Sequence, residues 1–351
     1  MPRLFSSEAR KLATDIFLHC GSSAEEARIV VDHLVDANLC GVDSHGLMRI
    51  PQYVEDVRKG VIKPGAEIRC EHETEVSAVV DCGWNFGLVG AAKAIEVALQ
   101  KAQKHKIAIV VTRRCNHAGR LGHYVEKIAN AGYWGQAFCS SPSHGHFVVP
   151  WGGRDGRIST NPFAYAIPMP DRPPIVADFS TAQAPEGKIR LYRNRKQQLP
   201  EGWILDASGQ PSTSPEDFYG PPRGGILPFG GALGYRGYAL GMLVELMGTI
   251  LAGSDPTEDR PGNGVAFLLF HPSLVADPDL LKRNLMIFGN YMKSSRPVVD
   301  GGEVLLPGEP EQRMRERRLV EGFEIDPATW SAILEIAASF SIAVDTSAGG
   351  K

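Results

Sequence analysis

The sequence has almost no excess of charge and few cysteines. Its 351 residues contain 37 Lys and Arg against 40 Asp and Glu, which gives a formal charge of −3. Such a balance provides no positive field for binding nucleic acid or an anionic membrane, and neither partner is expected. The six cysteines include no C-x-x-C pair, and a chain of this length does not need disulfides to stabilise its core. We therefore expect reduced thiols in a cytoplasmic protein.

The sequence also lacks a long uninterrupted hydrophobic run. Its best apolar stretch, residues 238–253, is broken by Glu245 and is about four residues too short to span a bilayer, so we expect a buried core helix there. The N-terminal residues lack the unbroken apolar core of a signal peptide, and none is expected. Hydrophobic residues make up 43% and charged residues 22% of the chain, an ordinary globular composition that at this length predicts about two domains.

Periodicity predicts helices at both ends of the chain and mixed structure between them. The first sixty residues predict three helices, the second with a capping box at Ser23 and Glu26. The third follows Asp43 and Ser44, with a kink or late start near Pro51. The further predicted elements are strands at 76–81, 107–112, 135–140, 164–167, 175–178 and 265–270 and helices at 91–105, 124–131, 238–251, 311–322 and from 326 onward. The Pro/Gly-rich residues 199–229 are typical of a loop or surface elaboration.

A glycine-rich loop separates the first predicted strand of the middle region from its helix. Gly83, Gly87 and Gly90 are spaced G-x-x-x-G-x-x-G, one residue away from the dinucleotide-binding fingerprint. No acidic residue follows about 20 positions later to bind a ribose. Backbone N–H groups at such a helix start can bind phosphate, but close packing of helix on strand explains the glycines equally well. A classical Rossmann site is therefore not expected.

The segment DSHGLMR, residues 43–49, combines groups that reduction of a 2-oxo acid requires. If a helix begins here, His45 and Arg49 are four residues apart and project from one face. The helix N-terminus would lower the pKa of His45, which suits a proton donor working near neutrality. Arg49 offers two parallel N–H donors to a carboxylate, and Ser44 could orient the imidazole. A surface helix start that carries a histidine and an arginine is the alternative.

A second candidate histidine, His117, follows the predicted strand 107–112 in the sequence CNHAG. Strand ends are where α/β proteins bind ligands, although a loop histidine with local hydrogen bonds is the alternative. His123 and the pair His144 and His146 could suggest a metal. No set of Cys, His and carboxylate residues has a recognised metal-ligand spacing, so no metal is expected.

Three further segments combine short polar residues with Gly or Pro after predicted strands or in turns. They are 159–162 (STNP), 178–181 (DFST) and 306–309 (LPGE). Their hydroxyls and backbone amides could contact phosphate and ribose without a Rossmann loop. Taken singly, each is also an ordinary turn sequence.

Eight blocks in this order resemble the malate/L-lactate dehydrogenase family that is unrelated to the classical Rossmann lactate and malate enzymes. They include DSHGLMRIPQYVEDVRKGVIKPGA, CNHAGRLGHYVEKIANAGYWG, STNPFAYAIP, ADFSTAQAPEGK, GYRGYALGMLVELMGTILAG and LLPGEPE, and they extend from Glu8 to Ala338. The block PEGWILDASGQPST and the Pro/Gly stretch after it resemble the hydroxycarboxylate dehydrogenase B branch.

The resemblance implies a mixed α/β fold with a non-Rossmann nicotinamide-binding sheet domain and an N-terminal helical domain. We expect the helical domain at residues 1–72, completed by C-terminal helices at about 311–345, and the cofactor-binding and catalytic domain at 73–310. The implied activity is NAD(P)-dependent interconversion of a small 2-hydroxy acid and its 2-oxo acid by hydride transfer. Reduction of a cyclic imine carboxylate, as in the piperideine-2-carboxylate branch, and a catalytically inactive nucleotide-binding protein are the alternatives.

The resemblance also assigns roles to individual residues. His45 matches the proton donor, and Ser44 and Asp178 match the groups that relay to it. His117 matches the second active-site histidine, which is named as the catalytic one in some members, so which of the two is the main acid or base stays open. Arg49 matches the clamp on the substrate carboxylate, with Thr160 as a further substrate contact. The residues that match cofactor-binding positions are Ser140, Asn161, Asp178, Phe179, Ser180, Lys188, Arg236, Leu306, Pro307 and Gly308.

Because the sequence departs from the family pattern at several positions, the resemblance does not determine which substrate is used or whether the cofactor is NAD or NADP. Arg236 stands where lysine is usual, and Phe179-Ser180 where Met-Ala is usual. The basic run 190–196 could bind a 2′-phosphate, but a solvated face is the simpler interpretation, so we predict NAD, with NADP as the alternative. The family is usually homodimeric. The apolar residues Trp134, Phe138, Phe147, Val148 and Trp151 would suit either an interface or the core of one chain.

Overall fold

The computed structural model describes residues 2–344, so residue 345, the predicted end of the C-terminal helical segment, lies outside the described residues. The α-helices within the described range are α1 Ser6–His19, α2 Ala24–Leu39, α3 Ile50–Arg58, α4 Gly87–His105, α5 Leu121–Asn130, α6 Glu186–Asn194, α7 Pro215–Tyr219, α8 Gly234–Glu245, α9 Pro278–Lys293, α10 Glu309–Glu321 and α11 Pro327–Ser339. The strands are β1 Arg3–Leu4, β2 Arg69–Glu71, β3 Ser77–Asp81, β4 Ile107–Arg113, β5 Trp134–Ser140, β6 Phe163–Ile167, β7 Ile175–Phe179, β8 Ile204–Leu205, β9 Pro211–Ser212, β10 Gly225–Ile226, β11 Gly264–Phe270 and β12 Phe323–Glu324.

The largest sheet has seven strands in the order β2-β3-β4-β11-β5-β6-β7. Among these strands, β3 and β4 pair in parallel and are connected by α4, whereas the other neighbours pair antiparallel. A sheet of this kind differs from the parallel, doubly wound sheet of the classical dinucleotide-binding fold. The predicted mixed α/β, non-Rossmann fold class is therefore confirmed.

Close packing accounts for the glycines that begin α4. A Cβ on Gly87 would lie 2.0 Å from the Asn116 backbone oxygen, and a Cβ on Gly90 would lie 2.4 Å from Cys82 Sγ. The helix begins at Gly87, four residues before the predicted start at residue 91, because these glycines lie within it and bring it against the strand ends. Their spacing thus reflects helix–strand contact.

A hydrophobic cluster joins the N-terminal helices to the C-terminal part of the described chain. Side chains of α1, α2 and α3 pack with Phe86 and Leu88 at the start of α4 and with Phe323, Ile333 and Ile336 near and in α11. The apolar faces predicted from helical periodicity in the first sixty residues lie in this cluster. Because the N-terminal helices and the C-terminal part share this core, we propose that the C-terminal helices complete the helical domain.

Residues 199–229 are more ordered than their composition predicts. They contain β8, β9 and β10, which form a three-stranded sheet, and α7. Ile204, Phe218 and Ile226 are fully buried in a separate small hydrophobic cluster. The loop prediction was too simple because strands of two residues are too short to show an alternating pattern.

The apolar stretch at 238–253 is not a fully buried helix. It forms most of α8, which continues as a π-helical turn at Leu246–Ile250. Leu243 and Leu246 are 46% and 49% exposed, so the prediction of a buried core helix is wrong. Apolar side chains surround this helix, and only one side of it packs against the sheet. Residues 2–344 contain no helix with the length and apolar character needed to cross a bilayer.

Candidate active site

Two consecutive 3₁₀ turns, Asp43–His45 and Leu47–Arg49, carry the predicted proton donor and carboxylate clamp. The prediction that one helix presents both side chains is wrong, because α3 begins only at Ile50. The late start that Pro51 predicted is confirmed, since proline in the first turn of a helix needs no N–H partner. Gly46 joins the two turns, and a Cβ there would lie 2.2 Å from Asn38 Oδ1.

His45 is half-buried and tied to its neighbours in this double turn. Ser44 Oγ lies 2.9 Å from His45 Nδ1, and Arg49 Nε donates to the Ser44 carbonyl at 2.7 Å. Burial, followed by the charges of Arg49 and Arg120, lowers the pKa of His45 to about 3. The expected direction of the pKa shift is present, but its cause is burial, since no α-helix begins at His45. The imidazole is therefore neutral at neutral pH and can accept a proton.

His117 is brought next to His45 by the loop after β4. The two imidazole rings stack with centroids 5.5 Å apart and planes at 22°. The Tyr53 hydroxyl lies 2.7 Å from His117 Nδ1. Burial, then the charges of Arg49 and His45, lower the pKa of His117, while burial raises the pKa of Tyr53. A neutral phenol donating to Nδ1 leaves the Nε2–H of His117 as a donor.

Tyr53 is the site residue that sequence reasoning missed. It lies on the buried face of α3 and is 1% exposed. Its position four residues after Arg49 is the one sequence signal that could have placed it beside the clamp. Nothing in the local sequence indicates that its hydroxyl reaches His117, which is 64 residues away along the chain.

Arg49 lies near enough to α6 for the charges of that helix to act on it. Its Nη1 donates to Gln52 Oε1 at 2.7 Å. Burial is the largest effect that lowers the pKa of Arg49, and the charges of Arg190 and Glu186 in α6 also act on it. Glu186 accepts hydrogen bonds from Arg190 Nε at 3.2 Å and from the Tyr219 hydroxyl at 2.7 Å. The guanidinium therefore has charged neighbours from a second part of the molecule.

Several predicted residues have internal partners instead of contacts with the two histidines. Asp178 accepts a hydrogen bond from the Gly122 N–H, in the first turn of α5, at 2.7 Å. The buried Asn161 amide donates to the Gly241 carbonyl at 2.8 Å and to Glu245 at 3.0 Å. Ser140 Oγ, also buried, contacts the Thr249 hydroxyl. In this structure, Asn161 and Ser140 hold the sheet against the helix formed by 234–250.

The other predicted cofactor residues lie at the end of β7, beside its start, or in α6 and α8, and β7 is an edge strand of the large sheet. At its start, the Pro307 carbonyl accepts a hydrogen bond from Val176 N–H at 3.0 Å, next to Leu306 and Gly308. After its end, Ser180 Oγ donates to the Thr160 carbonyl at 2.9 Å. Phe179, the last residue of β7, packs against Phe229 at 6.3 Å between ring centroids. The exposed cations Lys188 and Arg236 lie in α6 and α8.

This arrangement fits a dinucleotide laid along the sheet edge. The helix α10 begins beside β7, and α8 begins five residues after Phe229, which packs on Phe179. Helix N-termini with nearby cations are suited to phosphate groups. Gly308, with φ of +95°, begins α10, and a Cβ there would lie 3.0 Å from the backbone N of Val176. Within residues 2–344, no group of three or more His, Cys, Asp or Glu is placed to hold a metal ion.

The buried histidines predict a loss of stability in acid. Burial lowers the pKa values of His33, His45, His117 and His123 below 6.5. The unfolded chain therefore takes up more protons than the folded one below pH 6.5, and each neutral histidine costs up to about 2 kcal/mol of stability at pH 5. We expect the urea midpoint to fall steadily from pH 7 to pH 5.

A pair of variants tests this dependence. His33→Gln, which keeps an acceptor for the Arg120 backbone N–H, should flatten the fall in midpoint, whereas His144→Gln at an exposed position should not. Equal slopes for His33→Gln and the unmodified chain would contradict the explanation.

Comparison with known proteins now identifies the family. Residues 5–334 match the family described as malate/L-lactate dehydrogenase. The chain belongs to the malate/L-lactate dehydrogenase family. It is 33% identical to an L-lactate dehydrogenase of Cupriavidus necator over 97% of this chain and 98% of the relative. It is also 32% identical to hydroxycarboxylate dehydrogenase B of Escherichia coli K12, over 94% of this chain and 92% of the relative.

A solved structure supports membership in the malate/L-lactate dehydrogenase family independently. The sulfolactate dehydrogenase of Methanocaldococcus jannaschii matches with a TM-score of 0.86 and 31% identity, covering 97% of this chain and 98% of that one. The predicted resemblance is thus confirmed. Because these relatives are named as dehydrogenases of hydroxy acids, the chain is a member of an oxidoreductase family.

Proposed function

We propose that the protein is an NAD(P)-dependent oxidoreductase that interconverts a small 2-hydroxy acid and its 2-oxo acid. The observation that carries this proposal is the cluster of two stacked, neutral imidazoles beside a guanidinium. Arg49 binds the substrate carboxylate, with Thr160 as a further contact, and His45 exchanges a proton with the oxygen on the adjacent carbon. When bound, the nicotinamide nucleotide gives or receives the hydride at that carbon.

The charges around His45 explain how one residue serves both directions. In the oxidative direction, a neutral His45 accepts the hydroxyl proton, and the lowered pKa keeps it neutral. In the reductive direction it must carry a proton. A carboxylate bound to Arg49 offsets one of the positive charges that lower the pKa of His45, so substrate binding raises its proton affinity. Ser44 orients the ring through Nδ1.

His117 complements His45 as a hydrogen-bond donor in this proposal. Its Nδ1 is occupied by the Tyr53 hydroxyl, so Nε2–H is available to the substrate oxygen. A neutral donor stabilises negative charge that develops on this oxygen without giving up its proton. Asp178 accepts a hydrogen bond from Gly122 and so fixes the start of α5, the helix that follows the loop containing His117.

A substrate and cofactor panel tests the proposed function. The panel contains 2-oxo acids with and without a second acidic group, and cyclic imine carboxylates. Each compound is assayed with NADH and with NADPH. Oxidation of nucleotide with a 2-oxo acid supports the proposal, whereas turnover of the imines alone favours the imine reductase alternative. Tight nucleotide binding in a thermal-shift assay without any turnover favours the inactive binding protein. We expect NADH to be preferred, and a preference for NADPH of more than about tenfold, or 1.4 kcal/mol, would contradict that choice.

We further propose a homodimer in the cytoplasm, with the partner chain covering part of the cofactor site. All six cysteines are unpaired thiols, as expected for that compartment. Support for association comes from two exposed apolar faces. The first, on the helix formed by 234–250, contains Leu243, Leu246 and Ile250, and the second, on α9, contains Ile287, Phe288 and Tyr291. The helix α9 is not among the elements predicted from the sequence. The aromatic cluster suggested by sequence gives less support, because Phe138 and Val148 are buried within this chain.

A glutamate placed on the first apolar face should separate the subunits. Leu246, 49% exposed, is changed to Glu, and burying this charge in each copy would cost more than the roughly 1.5–3 kcal/mol that a buried leucine contributes. We expect light scattering to show the 38.1 kDa monomer instead of the dimer, with specific activity lost in parallel.

The matched control is Val320→Glu, an exposed apolar position on the charged helix α10. It should keep both the dimer and the activity. A fully active monomer of the unmodified protein on dilution would show that the dimer proposal is wrong, and would leave the roles of His45 and Arg49 unaffected.

A further inference from the structure

The charged helix α10 contacts the double turn, that is, the two consecutive 3₁₀ turns at residues 43–49 that contain His45 and Arg49. Arg318 donates through Nη1 to the Asn38 backbone carbonyl and, at 2.7 Å, to Asp43 Oδ1. Its Nη2 donates to Asp43 Oδ2 at 3.2 Å. The Arg318 side chain is 17% exposed and that of Asp43 is 48% exposed. One guanidinium thus holds both the end of α2 and the first residue of the turn that contains Ser44 and His45.

Asn38 closes this contact into a ring. Its Nδ2 donates to Asp43 Oδ1 at 2.6 Å, and its Oδ1 accepts a hydrogen bond from the Leu47 backbone N–H at 2.8 Å. The Asn38 side chain is 1% exposed and leaves no room for a Cβ on Gly46. Arg318, Asp43, Asn38 and the Leu47 N–H therefore join the double turn to α2 and α10.

The hydrogen bonds of Arg318, Asp43 and Asn38 hold the two turns that carry His45 and Arg49. A small displacement of these turns would therefore have chemical consequences. Both 3₁₀ turns lack the continuous backbone hydrogen bonds of an α-helix, so side chains from elsewhere set their position. Asp43 begins the turn that ends at His45, and Leu47 begins the turn that ends at Arg49. A half-exposed ion pair contributes only about 0–1 kcal/mol to stability. Its main effect is accordingly on geometry.

We propose that Asp43 and Arg318 are positioning residues for catalysis. The pair keeps His45 and Arg49 at the separation that one substrate molecule requires, with Asn38 passing the constraint to the second turn. This role rests on the proposed function of His45 and Arg49. In this proposal Arg318 and Asp43 act on the substrate only indirectly, by fixing the position of residues 43–49.

Three substitutions and one control test the proposal in the full-length protein. Arg318→Met removes all three contacts, Arg318→Lys keeps the charge but loses the fork, and Asp43→Asn keeps the size but loses the carboxylate. The control, Arg317→Met, changes the neighbouring arginine on α10, which is exposed and pairs with Glu321 at 3.9 Å. Each is assayed for kcat/KM, for affinity for the free nucleotide, and for amide hydrogen exchange of residues 41–50.

We expect Arg318→Met to lower kcat/KM by about 10–100-fold, because a displacement of about 1 Å at a catalytic group has effects of that size. Nucleotide affinity should stay unchanged, exchange should accelerate in residues 41–50 but not in β4, and Arg318→Lys should recover part of the loss. The double variant with Asp43→Asn should lose little beyond Arg318→Met alone, because both remove the same contact. The Arg317→Met control should behave as the unmodified chain.

Opposite outcomes are equally clear. The proposal is wrong if Arg318→Met and Arg317→Met have the same kcat/KM and the same amide hydrogen exchange. It is also wrong if Arg318→Met loses nucleotide affinity in parallel with kcat/KM. If Arg318→Met does not fold, Asp43→Asn decides by the same criteria. If the unmodified protein turns over no compound of the panel, the proposed function fails, while the exchange comparison still decides whether the ring orders the double turn.

Discussion

Replacement of His45 by alanine is expected to lower kcat by about 10²–10⁴-fold with saturating nucleotide, the range for loss of a positioned acid or base. The expectation follows from a neutral imidazole, held at Nδ1 by Ser44 at 2.9 Å and placed beside the carboxylate clamp. Nucleotide affinity should be nearly unchanged, because none of the proposed cofactor residues belongs to the double turn. Single-turnover measurement of hydride transfer in both directions checks this prediction.

Two companion variants separate the roles of the stacked histidines. His117→Ala should also lower kcat, but less, since it removes a hydrogen-bond donor and not the proton acceptor. Tyr53→Phe removes the 2.7 Å contact to His117 and should reproduce most of the His117→Ala effect with little change in packing. If His45→Ala retains activity within about tenfold, below the range for a lost acid or base, and His117→Ala does not, the two assignments must be exchanged.

Buried strands were the most predictable part of the fold. The β-branched run 107–112 is too apolar for anything but a buried strand, and β4 at Ile107–Arg113 matches it. The exposure of Leu243 and Leu246 could not be predicted, because an all-round apolar helix looks the same whether it is covered by its own chain or by another. Hydrophobic periodicity predicts which faces of a helix are apolar, but it does not predict what covers them.

The candidate site was predicted in composition but not in geometry. His45 and Arg49 were paired by assuming an α-helix, whereas two 3₁₀ turns joined at Gly46 bring them together. Gly46 has no visible reason in the sequence, since its requirement comes from Asn38 on the preceding helix. The contact between Tyr53 and His117 and that between Asp43 and Arg318 join residues 64 and 275 positions apart. Local patterns carry no information about such pairs.

Arg49→Met is expected to lower kcat/KM for a 2-oxo acid by about 10²–10⁴-fold, because two charge-assisted hydrogen bonds of about 1.5–3 kcal/mol each are lost. The half-buried guanidinium also acts on His45, and its charge is the second cause of the lowered pKa there. Removing that charge should raise the pKa of His45 in the free enzyme. Steady-state kinetics of both directions, from pH 9 down to the lowest pH at which each variant stays folded, measure the two effects together.

Arg49→Lys distinguishes the clamp from the charge. A lysine keeps the positive charge but offers no planar fork, so it should raise KM while leaving the pH dependence close to that of the unmodified enzyme. Arg49→Met should raise KM and also move the acid limb of kcat/KM for 2-hydroxy acid oxidation to higher pH, since a more basic His45 is neutral over a narrower range. Gln52→Met, which removes the 2.7 Å partner of Nη1 and a 3.5 Å contact to Asp56, is the control with a small expected effect. Unchanged pH profiles for all three variants, with a large KM effect in Arg49→Met, would mean that Arg49 binds substrate without setting the proton affinity of His45.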